Sequence, residues 1–207
     1  MSMAMKNALN ITVERFTNSS VMSATSLIFV YGTLKTNEPN YDVMTNISTG
    51  KCRLIGCGRT VERFPLLIAS KFNIPFCLQQ PGIGHRIHGE VYEVDEAKMN
   101  TLDEFEAHPL FYKRQLQQIE MNSGELQMAW IYLLPSWKPE LLQEGSELME
   151  NYSSKGSHGR PYVSRHIREK QIDIDGQSLI EQIIDHSSKV DSVDVEELLL
   201  NRNYTFI

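Results

Sequence analysis

The chain has 207 residues, of which 41% are hydrophobic and 22% charged, with a net charge of −6 and a pI near 5.5. That balance fits one globular domain with appendages and a single substantial core. It argues against a nucleic-acid grip, because Arg160, Arg165, Arg168 and Lys170 are dispersed among polar residues rather than clustered. It argues against a membrane protein too, because no apolar run reaches the length of a spanning helix.

Met1–Ser26 reads as a polar leader without the apolar centre of a signal peptide, although Lys6 and Arg15 beside the single acid Glu14 give it a faint transit-peptide character. Leu27–Tyr31 is a buried strand ended by Gly32. A short helix is expected from Glu38 to Met44, with Pro39 in its first turn. Leu54–Ala69 reads as two strands, or one bent at Phe64-Pro65. Phe76-Cys77-Leu78 is a further strand, Pro81–Gly84 a turn, and His88–Val94 an alternating strand. Asp95 stands where a helix cap belongs, and the helix runs to Glu106, short of Pro109. Phe111–Ile119 and Gln127–Leu134 form a strand pair around Asn122-Ser123-Gly124. A short helix follows Pro139, Tyr152–Tyr162 is a loop, and helical patches occur at Leu179–Ile184 and Val195–Leu200. The fold class is α+β with a curved or closed sheet. The expected organisation is a leader over 1–26, one domain over 27–168 and an acidic extension over 169–207.

Two segments carry chemistry. At 3.6 residues per turn, Met99, Leu102, Phe105 and Glu106 share one helical face, while Asp103 and Glu104 are expected to point to solvent. A carboxylate on an apolar stripe at a helix C-terminus has its pKa raised, which suits a general base. On periodicity alone, a Glu at the edge of a stripe more often reaches water. The second segment is Tyr31-Gly32-Thr33-Leu34. Backbone N–H groups beyond a strand end have no ladder partner and can hold a carboxylate or an oxyanion. An ordinary strand-to-turn junction reads the same way. The three cysteines, Cys52, Cys57 and Cys77, lack a CxxC spacing. With no secretory signal, their odd number points to a reducing compartment such as the cytoplasm. The six histidines show no metal-ligand spacing, so no metal is expected. A cysteine nucleophile would need a neighbouring His, which no local motif supplies.

An ordered set of segments then resembles the γ-glutamylcyclotransferase-like family, and within it the γ-glutamylamine branch. The segments are Phe29–Lys35, Gly58-Arg59-Thr60, Phe64-Pro65-Leu66 and Asn73–Phe76. They continue with Gly89–Tyr92, Leu102–Glu106, Tyr112-Lys113-Arg114 and Ser157–Tyr162. The resemblance runs from Leu27 to Arg168 and is specific through order and spacing rather than through any one piece. It implies a small mixed β-barrel flanked by helices. It implies an enzyme that cleaves a γ-glutamyl amide by attack of the substrate's own α-amine, releasing 5-oxoproline and a free amine without a cofactor. It implies Glu106 as catalytic base and Tyr31, Gly32, Thr33 and Leu34 as substrate-binding residues. In the nearest branch the substrate is γ-glutamyl-ε-lysine. The leader, the acidic tail and Pro161 beside Tyr162 depart from the family pattern, which bears on substrate preference more than on the reaction. The expected partner is therefore a small γ-glutamyl molecule, with neither nucleic acid nor membrane. A non-catalytic metabolite- or protein-binding module of the same fold is the competing reading, kept open by the acidic tail.

Overall fold

The structure is a computed structural model that describes residues 24–168, 170 and 179–184. In chain order its elements are β1 (Thr25–Val30), α1 (Tyr41–Thr45), a 3-10 turn (Ile47–Thr49), β2 (Cys52–Phe64), β3 (Leu66–Ala69), β4 (Ile74–Cys77), β5 (His85–Asp95), α2 (Glu96–Phe105), β6 (Lys113–Met121), β7 (Leu126–Leu133), α3 (Glu140–Glu144) and α4 (Leu179–Ile183). The expected leader up to residue 23 and the Val195–Leu200 patch lie outside the described residues.

A closed barrel runs in the order β1-β5-β2-β6-β7. β1 lies antiparallel to β5 from Thr25↔Asp95 to Val30↔Glu90, and β1 closes the barrel by a parallel contact with β7 at Ile28↔Trp130. The alternating side chains of these strands feed two separate cores. Phe29 and Tyr31 pack inside the barrel with Val91, Ile119, Ile131 and Leu133. Ile28 and Val30 face outward into a second core that α2 covers with Met99 and Leu102. The barrel is mixed and flanked by helices, as the resemblance implies.

β3 and β4 form a separate hairpin, registered from Leu66↔Cys77 to Ala69↔Ile74. A bridge from Leu78 to Leu134 ties it to the end of β7 and brings Ile74 and Pro75 over the exit of β1. The expected strands are present, with β1 beginning at Thr25 and β5 at His85. The first helix is displaced: Pro39 lies in the preceding turn, where Asn40 N–H donates to the Thr33 carbonyl at 3.0 Å, so helix starts only at Tyr41. Among the described residues no helix is long and apolar enough to cross a membrane.

Candidate active site

The site forms where β1 leaves the barrel beside the C-terminus of α2. Asp95 caps α2 as the sequence predicts, its Oδ1 accepting from Lys98 N–H at 2.9 Å. At the other end Glu106 is the cap residue, its N–H still bonded to the Leu102 carbonyl at 2.9 Å. Ala107 then adopts φ 48°, Ala107 N–H bonds Glu104 O, and His108 N–H bonds Asp103 O at 2.8 Å. This is the left-handed closure that usually takes glycine. It turns the chain sharply and leaves Glu106 at the mouth of a cleft rather than along the helix.

The cleft is walled by Val30 to Leu34, by Ile74 and Pro75, and by Phe105, Tyr112 and Tyr132 around Glu106. The Glu106 side chain is half-buried and lines the cleft. Among the described residues its carboxylate has no hydrogen-bond or ion-pair partner. Burial in these apolar walls pushes the carboxyl from 4.5 up to about 8. The aromatic hydroxyls around it are held neutral, because burial raises those of Tyr31 and Tyr112 well above their ordinary value.

The loop that follows β1 is fixed on several sides. Tyr31 turns into the barrel and its hydroxyl donates to the Tyr132 carbonyl at 2.8 Å. Lys35 N–H closes a turn on the Gly32 carbonyl at 3.2 Å. The buried Lys35 Nζ donates to Asn151 Oδ1 at 2.7 Å and to the Tyr152 carbonyl at 2.6 Å, and burial lowers its pKa. Thr36 N–H donates to Glu90 Oε2 at 2.8 Å. Asn40 Nδ2 donates to Thr33 Oγ1 at 2.9 Å and to the Tyr162 hydroxyl at 3.0 Å. Within this frame, the N–H groups of Gly32, Thr33 and Leu34 have no acceptor among the described residues.

The structure thus brings Glu106 together with Tyr31, Gly32, Thr33 and Leu34 in one cleft. Leu34 is buried against the outer core, so it contributes backbone more than side chain. At Gly32 a Cβ would stand 3.3 Å from Pro75 Cγ, so the residue also lets the loop approach Pro75 of the hairpin closely. The expectation that Asp103 points to solvent is wrong. Its carboxylate accepts from the Tyr132 hydroxyl at 2.6 Å and from Arg114 Nη1 at 2.9 Å. Helical periodicity could not find this, because the partners come from β6 and β7. Arg168 is buried beside Tyr162. Lys35 carried a weak signal, a charged residue directly after an apolar strand and turn. Cys77 is buried, Cys52 half-buried and Cys57 exposed, all as free thiols. Among the described residues no group of His, Cys, Asp and Glu is arranged to hold a metal ion.

Comparison with known proteins places the chain in a family. The family described as Gamma-glutamyl cyclotransferase, AIG2-like matches residues 28–154. Gamma-glutamylaminecyclotransferase of Rattus norvegicus is 41% identical over 148 residues, covering 68% of this chain and 98% of that protein. Gamma-glutamylaminecyclotransferase B of Danio rerio is 41% identical over 141 residues, covering 66% of this chain and 73% of the relative. The crystal structure of an AIG2-like protein from Mus musculus aligns with a TM-score of 0.65 at 41% identity, covering 68% of this chain and 96% of that one. With more than half its length matched and the barrel shared, the chain belongs to the gamma-glutamyl cyclotransferase, AIG2-like family.

Proposed function

We propose that the chain is a γ-glutamylamine cyclotransferase acting on γ-glutamyl-ε-lysine or a related γ-glutamyl amide, with Glu106 as the proton carrier. The printed names of the relatives support the reaction class. The observation that carries the residue assignment is the unpartnered Glu106 carboxyl, pushed up to about 8, in the same cleft as three N–H groups without acceptors.

The substrate's α-ammonium gives a proton to Glu106, and the freed amine attacks the γ-carbonyl carbon of the same molecule. The cleft has only to hold the chain folded, because ring closure needs orientation more than activation. As the C–N bond forms, the carbonyl electrons move to oxygen. The N–H groups of Gly32, Thr33 and Leu34 are the donors available to that oxyanion or to the α-carboxylate. The tetrahedral centre collapses, the original C–N bond breaks, and the amine departs. In total two protons pass from the α-nitrogen to the leaving nitrogen, carried by Glu106, which ends as it began. Tyr31 positions the wall through its bond to Tyr132, and Thr33 is held by Asn40. The acting residues all fall within 27–168, the proposed catalytic domain. The three free thiols fit a reducing compartment, the cytoplasm, as its location.

The test is release of 5-oxoproline from γ-glutamyl-ε-lysine, γ-glutamyl-alanine and glutathione in parallel. Release from the first that is lost in Glu106→Gln is the expected result. A folded protein that releases 5-oxoproline from none of them has another function.

A further inference from the structure

Tyr132 is held at both ends. Its carbonyl accepts from the Tyr31 hydroxyl at 2.8 Å, and its own hydroxyl donates to Asp103 Oδ1 at 2.6 Å. Asp103 Oδ2 accepts from Arg114 Nη1 at 2.9 Å. Arg114 and Tyr132 are direct cross-strand partners in β6 and β7, so both project from one face of the sheet. The Arg114 guanidinium also lies 4.9 Å over the ring of Trp130, the next residue on that face. Asp103 itself sits one helical turn before Glu106. It therefore joins the end of α2 to the strand that supplies the cleft wall.

We propose that Asp103 is a positioning residue for the cyclisation: bridged between Arg114 and the Tyr132 hydroxyl, it fixes the Tyr132 ring against which Glu106 and the folded substrate are aligned. The proposal rests on the cyclotransferase reading of the same cleft. Three features argue for a role beyond stability. Tyr132 lines the cleft beside Glu106. The bridge spans the helix end and the barrel, the two parts that must stay in register for Glu106 to face the loop. Both oxygens of Asp103 are engaged, one by a cation, so the carboxylate is a fixed acceptor for the phenol. The His108 ring packs edge-on against Tyr132, with centroids 6.2 Å apart, which adds a second restraint on the ring.

The experiment is a double-mutant cycle of Asp103→Ala and Tyr132→Phe, read as kcat and KM for 5-oxoproline release and accompanied by thermal melts. Misplacement by about 1 Å at a reacting centre costs up to about 100-fold, so each single variant is expected to lose about 10- to 100-fold in kcat. KM should change little, because the glutamyl end is held by the loop. Since Asp103 acts through the Tyr132 hydroxyl, the double variant should be no slower than the slower single. Arg114→Lys, which keeps a cation for Asp103, should recover most of the activity that Arg114→Met loses. Wild-type kcat in Asp103→Ala, or losses that multiply in the double variant, would overturn the positioning role while leaving the reaction intact. Failure of the wild type to release 5-oxoproline would overturn the parent reading, and this role with it.

Discussion

A carboxylate that takes a proton from an ammonium works best when the two pKa values are close. An α-amino group titrates near about 8, and burial brings Glu106 up to about 8. In the proposed reaction the proton can therefore move either way at little cost, as a carrier used twice per turnover requires. The base must be ionised in the free enzyme, so kcat/KM should fall tenfold per unit of pH below about 8. Glu106→Gln should lose about 10²–10⁴-fold in rate and keep binding of 5-oxoproline, measurable by calorimetry. Glu104, exposed on the far side of α2, should be silent as Gln. The same burial has a stability consequence. The folded pKa lies above the unfolded value, so from about pH 4.5 upward the unfolded chain ionises while the folded protein does not. Folding thus loses stability as pH rises towards 8, the reverse of an ordinary salt-bridged carboxylate. Glu106→Gln should melt higher than wild type at pH 8 and equal to it at pH 4. For a chain of this size each kcal/mol relieved is worth about 2–4 °C. Equal melting differences at both pH values would show that the carboxyl is not perturbed by its fold.

At the scale of elements, short helices and loops in this protein are held by buried cations rather than by their own propensity. α1 is too short to be stable alone. Lys98 of α2, enclosed by the preceding loop though close to the surface, donates from Nζ to the Val43 and Asn46 carbonyls at 2.8 Å and to Thr49 Oγ1 at 2.7 Å. Desolvation lowers its pKa, but three oxygens take the place of water. Lys98→Met leaves those acceptors unsatisfied and should cost about 1–3 kcal/mol, read from a urea melt. Lys35 serves the loop after β1 in the same way. These anchors mark the limit of what the sequence discloses. The apolar run Leu27–Tyr31 and the cap at Asp95 are local signals, and the structure contains both elements. The order of the motifs was legible along the chain, whereas Glu106 and the Gly32–Leu34 turn stood out only through the resemblance, because periodicity alone favoured a water-facing Glu and an ordinary turn. Asp103 was misplaced because its fate depends on Arg114 and Tyr132, strand partners that helical periodicity cannot see. The burial of Lys98 and Arg168 has no local signal, because nothing near them in the chain announces the carbonyls and ring that enclose them.

For the molecule as a whole, the site depends on how tightly the barrel closes. Gly58 and Gly89 are direct partners across β2 and β5. A Cβ on Gly89 would meet the Val30 carbonyl at 2.4 Å and Phe29 Cζ at 2.5 Å, and one on Gly58 would meet the Glu120 carbonyl at 2.7 Å. These two positions let β5 and β2 approach their neighbours where a side chain would hold them apart. The consequence reaches the chemistry, because Val30 is the last residue of β1 and the loop Tyr31–Leu34 hangs from it. Gly89→Ala should push the end of β1 outward and strain the interior around Phe29. Overpacking of this kind costs about 1–3 kcal/mol. Gly82 is the control: its φ of 90° disfavours any side chain, but a Cβ there meets nothing within 4 Å. Gly82→Ala should cost about 1–2 kcal/mol through backbone strain alone and leave kcat unchanged. Gly89→Ala should lose comparable stability and also lose kcat at temperatures where it is fully folded, because the loop Tyr31–Leu34 shifts within the cleft it shares with Glu106. Equal activity in the two variants at matched folded fraction would mean that the loop adjusts independently of the barrel. A selective loss in Gly89→Ala would make strand packing on β5 part of what holds the reacting geometry.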